Sequence, residues 1–505
     1  MSSAKVPQIA TNSPSGSEPH VSWEDVQDNI SGDSHSDSEH QEPLEVVFDG
    51  DNLHRRKSSL VEGRRRLEHD ATDCFVHSII NQQKKNATKE FSQSELAANR
   101  PADKRSAGDR EDIHSRLLTK KQLSDMAWGV RELSKKLGGI RLKMHVKNVF
   151  LLTKAHDQSL IGKTREIAAW LLSNDREAPY TVYVESNLEN NPHFNAKGLL
   201  AENPSFEGRL KYWTVKLCQE RPHTFDFVVS LGGDGTVLYA SWLFQRVVPP
   251  VLSFNLGSLG FLTKFEYKNF RDILQGAFRD GITVSLRLRF ECTIMRSQNH
   301  KRGQPRDLVE EVVGEECDDN RTHKPDGNHE ILNDVVVDRG PNPTMSSIEI
   351  FGDDEHFTTV QADGVCIATP TGSTAYNLAA GGSLSHPENP VILLTAICAH
   401  TLSFRPIILP DTIVLRLGVP YDSRTSSWAS FDGRERVELC PGDYVTISAS
   451  RFPFPNVVPR GRRSQDWIDS ISKTLHWNTR QKQKAFKERE DELTEELEKE
   501  REKRV

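Results

Sequence analysis

Leu231-Gly232-Gly233-Asp234-Gly235-Thr236 is the stretch whose reading decides the fold. Before it, Phe225, Phe227, Val228 and Val229 read as a short buried strand. After it, Val237-Leu238-Tyr239-Ala240-Ser241-Trp242-Leu243-Phe244 reads as a helix. The order is therefore strand, glycine turn, helix. Glycine is needed where backbone must approach a ligand closely or adopt positive φ. The bare N–H groups of a helix start form a ready anion site. Asp234 places one carboxylate in the middle of that site. A carboxylate beside a phosphate is repelled unless it holds a metal or takes a proton, so the combination points to phosphoryl transfer. The hexapeptide by itself also fits a plain Gly-rich βα turn.

The segments on either side repeat the same rhythm. Residues 117–137 carry Leu118, Leu123, Met126, Val130, Leu133 and Leu137 at helical spacing, stopped by Gly138-Gly139. Residues 146–152 read as a strand, 161–172 as a helix and 180–184 as a second strand. This βαβ alternation predicts a parallel sheet covered by helices. Gly162-Lys163-Thr164 mimics a P-loop, but the glycine required five positions earlier is Asp157. Phosphate handling must then lie elsewhere. Val251-Leu252-Ser253-Phe254 is a third strand, running into Asn255-Leu256-Gly257-Ser258-Leu259-Gly260-Phe261-Leu262. Ligands of open α/β sheets bind beyond the carboxyl ends of the strands, so a second glycine turn at that edge predicts a cleft.

From about residue 285 the period becomes two. Strand-like runs recur at 284–295, 347–351, 365–368, 391–395, 413–417 and 445–448, which predicts a β-rich domain over 285–455. Residues 297–330 interrupt it as a charged, Gly/Pro/Asn-bearing insertion, expected on the surface without regular structure. Trp467, Ile471, Leu475 and Trp477 predict a helix within 456–485 that packs back on the core, followed by a charged tail over 486–505. Residues 1–112 show no sustained apolar period and are expected to be disordered. Within them Arg55-Arg56-Lys57-Ser58-Ser59 suits a basophilic protein kinase. The α/β domain is thus assigned to 113–284.

Composition narrows the classes. Of 505 residues 36% are hydrophobic, and mean hydropathy is −0.58, which fits long polar segments outside a core. A net charge of −7 and a pI near 6.2 argue against a nucleic-acid binder. Seven cysteines without a CxxC pair fit reduced thiols and a cytoplasmic protein. No apolar run is long enough to span a bilayer, so no membrane partner is expected.

The second domain carries three polar constellations. Asn333-Asp334, at the start of the Val335-Val336-Val337 strand, can hold the hydroxyls or base edge of a nucleoside, or form an Asx turn. Asp363-Gly364 opens a stretch that ends in Thr369-Pro370-Thr371-Gly372-Ser373-Thr374-Ala375-Tyr376-Asn377 and continues into Leu378-Ala379-Ala380-Gly381-Gly382. So many small and hydroxyl residues would build a poor core, whereas they leave room beside Tyr376 for a flat base. Phe431-Asp432-Gly433-Arg434 alone reads as a hairpin.

Taken in order, these motifs resemble the ATP-NAD kinase family in its eukaryotic, fungal form. Leu402-Ser403-Phe404-Arg405-Pro406 and the 467–477 helix resemble it too, and the likeness covers roughly residues 117–485. The Gly-Gly-Asp-Gly-Thr element is shared with lipid kinases, but the 369–377 stretch singles out NAD kinases. The resemblance implies an α/β N-terminal domain with a Rossmann-like parallel sheet and a sandwich-like β-rich C-terminal domain that supplies most of the NAD site. It implies transfer of the ATP γ-phosphate to the 2′-hydroxyl of the adenosine ribose of NAD, giving NADP, with Mg²⁺ or another divalent metal. It also implies a homo-oligomer whose neighbouring subunit can complete the site.

Matched by motif position, Asp234 is the expected catalytic base or metal-orienting group, and Gly235 lies against the nucleotide. Asn333 and Asp334 are implied to bind the ribose or base, and Asp363 the nicotinamide side. Thr374, Ala375, Tyr376, Asn377 and Ala379 would line the adenine and nicotinamide pockets. Phe261 and Leu262 would cap the adenine end, and Asp432 and Arg434 would lie near the reacting ribose. Asp334 stands where many members have glutamate, and Ala396 where proline is expected. Two other classes share parts of the pattern: a lipid or small-alcohol kinase, and a non-catalytic NAD-binding regulator.

Overall fold

The structure, a computed structural model, describes residues 114–154, 157–176, 178–256, 260–298, 306–313, 322–459 and 463–477. The arm expected to be disordered, with Ser58 and Ser59, and the charged tail lie outside the described residues.

The first half alternates strands and helices. Helix α1 (Lys120–Gly139) starts at a capping box, with Thr119 and Gln122 each accepting the other's backbone N–H. Strand β1 (Asn148–Thr153) leads to α2 (Gln158–Leu172), β2 (Thr181–Glu185), α3 (Ala196–Glu202), β3 (Leu210–Trp213) and α4 (Val215–Glu220). Strand β4 (Phe227–Gly232) then enters α5 (Asp234–Leu243), followed by β5 (Val251–Asn255), the two-residue β6 (Phe265–Glu266), α6 (Phe270–Asp280) and β7 (Thr283–Arg287). Strands β3, β2, β1, β4 and β5 lie side by side and all run parallel. Both faces of this sheet are apolar, as a two-sided parallel sheet requires. Val149, Leu151, Phe227 and Val229 face one cluster, and Phe150, Leu152 and Val228 face the other, which includes Val237, Ala240 and Leu243 of α5. Gly162 lies inside α2, whose N-cap is Asp157, so Gly162-Lys163-Thr164 forms no phosphate loop.

The second half is a sandwich. Its strands are β8 (Phe290–Ser297), β9 (His323–Ile331), β10 (Asp334–Asp338), β11 (Ser346–Gly352), β12 (Glu355–Ala362) and β13 (Gly364–Ala368). They continue with β14 (Val391–Ile397), β15 (Ile407–Pro410), β16 (Leu415–Gly418), β17 (Ser427–Phe431), β18 (Glu435–Leu439) and β19 (Tyr444–Ala449). Two six-stranded sheets result, β15-β14-β13-β10-β17-β18 and β12-β11-β16-β19-β8-β9. Val335, Val337, Ile367 and Leu394 of one meet Ile294, Ile348, Leu417 and Val445 of the other in a common core.

Three details differ from the sequence expectation. The domain limit expected at 284–285 falls inside β7, which stays with the first sheet, and β20 (Phe454–Val458) returns there to sit between β5 and β7. The uninterrupted strand-like run at 284–295 hides a change of sheet between Arg287 and Phe290. The polar insertion is also partly regular: α7 (Leu308–Val313) buries Leu308 and Val312 against Met295, Phe351 and Tyr444, and β9 pairs with β8 along its length. Strand β9 is held by backbone bonds rather than by apolar alternation, so its residues give no period-two signal. Two short helical pieces complete the fold: α8 (Tyr376–Ala379) after a 3₁₀ turn at Thr371–Thr374, and α9 (Arg463–Thr474), which buries Ser470 and Ile471.

Candidate active site

Asp234 is the first residue of α5, with Gly233 as N-cap. Its carboxylate accepts the N–H of Phe261 at 2.8 Å and of Leu262 at 3.0 Å, so the two glycine turns are locked together through one side chain. Gly260 allows this contact, because a Cβ there would come within 2.1 Å of the Asp234 Oδ1. A carboxylate offers about four lone-pair positions, so each oxygen keeps one for a ligand. Phe261 is half-buried, whereas the Leu262 side chain packs into the core beside α5. Leu262 therefore meets Asp234 through its N–H while its side chain faces the core, and of the two side chains only that of Phe261 is accessible.

The second-domain residues form one network. Asp334 is 7% exposed and sits beside Asp432 and the N–H of Tyr376. Burial, reinforced by the Asp432 charge, pushes the Asp334 carboxyl up to about 7. Asp432, at φ +48°, accepts the N–H groups of Leu332 (2.9 Å), Asn333 (2.7 Å) and Asp334 (3.1 Å). Burial raises the Asp432 carboxyl too, while those three N–H bonds oppose the rise. Its oxygens hold the 332–334 turn, so Asp432 supports the backbone of Asn333 and Asp334. The Asn333 side-chain amide is half-buried and has no partner among the described residues, so it remains open to a ligand. Gly372 packs directly on Asn333, where a Cβ would meet the Asn333 carbonyl oxygen at 2.1 Å.

The 371–382 segment divides into wall and support. Tyr376 is 45% exposed, and Gly235 and Ala379 are also exposed. Thr374 and Ala375 are half-buried, and the Thr374 hydroxyl donates to the Thr371 carbonyl at 3.3 Å. Asn377 is different: it is fully buried, donates to the carbonyls of Ser373 and Ser383, and accepts the Thr395 hydroxyl at 2.8 Å. It holds the segment together from behind and lines no pocket. Asp363 stands apart from the Asp334 network, with its carboxylate paired to Arg339 Nε at 2.9 Å.

The β17–β18 turn joins the two halves. Asp432 holds the 332–334 turn, and two residues later Arg434 donates to the Gly235 carbonyl at 3.2 Å while lying 4.5 Å from the Tyr239 ring centre. The first turn of α5 is thereby tied to the Asn333-Asp334-Tyr376 network. The far end of α5 is held by Arg289, a residue not singled out from the sequence. Its fully buried guanidinium donates to the carbonyls of Ser241, Phe244, Gln245, Arg246 and Phe452. A cation there also complements the negative end of the helix dipole. The signal for Arg289 was present: two arginines, 287 and 289, interrupt an otherwise strand-like apolar run.

Comparisons with known proteins place this geometry. Residues 149–282 match the ATP-NAD kinase N-terminal domain, and residues 332–458 match the ATP-NAD kinase C-terminal domain. The NAD(+) kinase of Saccharomyces cerevisiae is 46% identical over 365 residues, covering 72% of this chain and 66% of that protein. An uncharacterized kinase of Schizosaccharomyces pombe is 43% identical over 357 residues, covering 70% of this chain and 86% of that protein. The crystal structure of yeast NADH kinase complexed with NADH superposes with a TM-score of 0.54 at 29% identity, covering 68% of this chain and 91% of the other. With both family models matched in order across the two lobes, the chain belongs to the ATP-NAD kinase family.

Proposed function

We propose that this chain transfers the γ-phosphoryl group of ATP to the 2′-hydroxyl of the adenosine ribose of NAD or NADH. The observation that carries the reading is the β17–β18 turn, which ties the Asp234 helix start to the Asn333-Asp334-Tyr376 network. A helix start suited to phosphate thus stands next to groups suited to a nucleoside. In the step, the bond between the γ-phosphorus and the β-phosphate oxygen breaks and its electron pair leaves with ADP. A new bond forms from the ribose oxygen to phosphorus, and the hydroxyl proton goes to Asp234 or to solvent. Loose phosphoryl transfer asks mainly for alignment and charge neutralisation. Asn333 would hold ribose hydroxyls, and the exposed Tyr376 ring offers a face to a flat base.

Among the described residues no three His, Cys, Asp or Glu side chains gather as a metal cage. Mg²⁺ needs only one or two carboxylates plus substrate phosphates, so Asp234, with lone pairs left, fits a water-mediated hold on a metal that arrives with ATP. When bound, the ion would neutralise phosphate charge. The five described cysteines are all unpaired, which supports the cytoplasmic assignment. No described helix is long and apolar enough to cross a membrane. Assembly as a homo-oligomer rests on the family resemblance. The test is NADP or NADPH formation by purified full-length chain with ATP and Mg²⁺, with NAD and NADH in parallel and diacylglycerol and sphingosine as controls. Phosphorylation of a lipid alone, or of nothing, overturns the proposal.

A further inference from the structure

At the opposite end of α5 from Asp234 lies a cavity of about 120 Å³. Gln245 and Arg246, just past the end of α5, line one wall, and Glu291 of β8 with Glu330 of β9 line another. Arg451, between β19 and β20, and His114 also border it. Glu291 and Glu330 stand directly opposite each other in the β8–β9 ladder, so two buried carboxyl groups share one face. The chain satisfies only one of them. Glu291 accepts the Ser115 N–H at 2.9 Å and its hydroxyl at 2.6 Å, and it pairs with His114 Nδ1 at 2.7 Å. Glu330 is 4% exposed, and its Oε2 has no hydrogen-bond partner. Asn328, on the same lining, accepts the Thr293 hydroxyl and has a side-chain NH₂ without a partner among the described residues. Arg246 and Asn328 are exposed, which puts the mouth of the cavity at the surface.

Like charges directly opposite in a ladder are destabilising, and a buried carboxylate short of donors is costly. Glu330 avoids both by keeping its proton: burial pushes its carboxyl up to about 8, against the pull of Arg289 and with the push of Glu291. A carboxyl that keeps its proton has an O–H to give, as the Asn328 amide has N–H groups. The open valences are therefore donors, and Arg246 and Arg451 add two guanidiniums to the lining. Such a lining calls for an acceptor-only group. A carboxylate matches the guanidinium fork and closes a short hydrogen bond with a protonated carboxyl. A cation is disfavoured, because Arg246, Arg451 and the Arg289 that bears on Glu330 already supply positive charge. At about 30 Å³ per water the space holds about four waters, or a carboxylate of roughly three carbons.

We propose that this cavity binds a small carboxylate, which braces α5 and the 332–334 turn from behind. The site goes beyond the kinase reading, and only its effect on NAD rests on that reading. The path of the coupling is continuous. Arg289 donates to the carbonyls of Gln245, Arg246 and Phe452, and all three of those residues line the cavity. The Gln245 side chain accepts the Glu330 N–H at 2.8 Å. From Glu330, β9 leads through Ile331 into Leu332 and Asn333, whose N–H groups bind Asp432. A carboxylate seated on Glu330 and Asn328 therefore stiffens the end of α5 and the entry to the nucleoside network together.

The experiment titrates the full-length chain with sodium malonate by calorimetry at constant ionic strength, with potassium chloride as control, and measures KM for NAD with and without malonate. Wild type is compared with Glu330→Gln, Glu330→Leu and Arg451→Ala. Glu330→Gln keeps a donor, so its affinity for malonate should stay within about threefold of wild type. Glu330→Leu has none and should bind about 10- to 100-fold more weakly, the range for losing a charged hydrogen bond, and Arg451→Ala should weaken binding in the same direction. Malonate should lower KM for NAD about fivefold in wild type, the low end of coupling between sites, and leave it unchanged in Glu330→Leu. No binding by wild type, equal binding by Glu330→Leu and Arg451→Ala, or the same response to potassium chloride would overturn the site. Competition with ATP that persisted in Glu330→Leu would place malonate in the active site and overturn it too. Binding that left KM for NAD unchanged would mean an adventitious anion only. Should Glu330→Leu fail to fold, Arg451→Ala decides. Calorimetry needs no turnover, so if wild type made no NADP the cavity would still be tested while the kinase reading fell.

Discussion

Replacing Asp234 with asparagine removes charge while keeping shape, and its effect can be worked from the contacts. The carboxylate accepts two backbone N–H groups, from Phe261 and Leu262. Asparagine has one oxygen, so one of those N–H groups must face an amide NH₂ or turn away. Losing a charge-assisted hydrogen bond costs about 1.5–3 kcal/mol. That alone would loosen the junction of the two glycine turns and raise KM for ATP about 10- to 100-fold. If Asp234 also takes the hydroxyl proton, a further factor in the range of about 10²–10⁴ applies. The two contributions separate in the data. Loosening lowers thermal stability and raises KM for ATP, whereas loss of proton transfer lowers kcat with stability nearly kept. The assay is steady-state NADP formation with ATP saturating, next to a thermal melt. We expect kcat to fall about 10²–10⁴-fold with KM for NAD changed little. Turnover within tenfold of wild type would refute a catalytic role for this carboxylate.

Arg434→Ala cuts the tie to Gly235 and Tyr239; kcat should drop about 5- to 10-fold with stability nearly unchanged, since the residue is exposed. Wild-type kinetics in that variant would mean the β17–β18 turn does not align the lobes. Arg289→Lys replaces a fork that reaches five carbonyls with a point charge and should cost about 2–4 kcal/mol in urea unfolding; a loss under about 1 kcal/mol would contradict the clamp on α5. Asp334, raised from 3.8 to about 7, keeps its proton in the folded chain where the unfolded chain has released it. Its contribution to stability is therefore full below pH 4 and lost as pH rises to about 7, up to about 4 kcal/mol at roughly 1.4 kcal/mol per tenfold. Asp334→Asn lacks that loss, so its stability relative to wild type should grow between pH 4 and 8 in denaturant titrations; a constant difference would refute the buried carboxyl.

The Asp234 turn was legible because its signal is local. Two glycines between an apolar strand and an apolar helix leave few alternatives, and β4 and α5 occupy the expected places. The change of sheet after Arg287 was not legible, since a period of two marks a half-buried strand without saying which sheet holds it. Strand β9 was missed for the opposite reason. Lys324, Pro325, Asp326, Gly327 and Asn328 are exposed, and only pairing with β8 makes them a strand. Asn377 and Asp432 show a further limit. A polar residue inside a ligand-binding motif can face the ligand or hold the motif's backbone, and sequence weighs the two alike. Burial decides: Asn377 has its donors and acceptor satisfied within the protein, whereas the Asn333 amide does not.

Phe431-Asp432-Gly433-Arg434 gives the sharpest case. As sequence it is a hairpin with two charges, and nothing about its spacing ranks it above other hairpins. In the fold its two charged residues act at two separate backbones, one in each lobe. Asp432 takes a left-handed φ of +48°, strain that the three N–H bonds from 332–334 offset. That strain turns the next residues toward α5, and Arg434 meets Gly235 there. The Gly433 that follows, at φ +65°, permits the reversal. The turn is therefore needed in this shape only if both contacts are kept, and the two contacts together tie the first turn of α5 to the 332–334 turn. A variant that relaxed Asp432, such as Asp432→Gly, would keep the hairpin and release the wall. Its defect should appear first in KM for NAD, which separates it from the loss of kcat expected at Asp234.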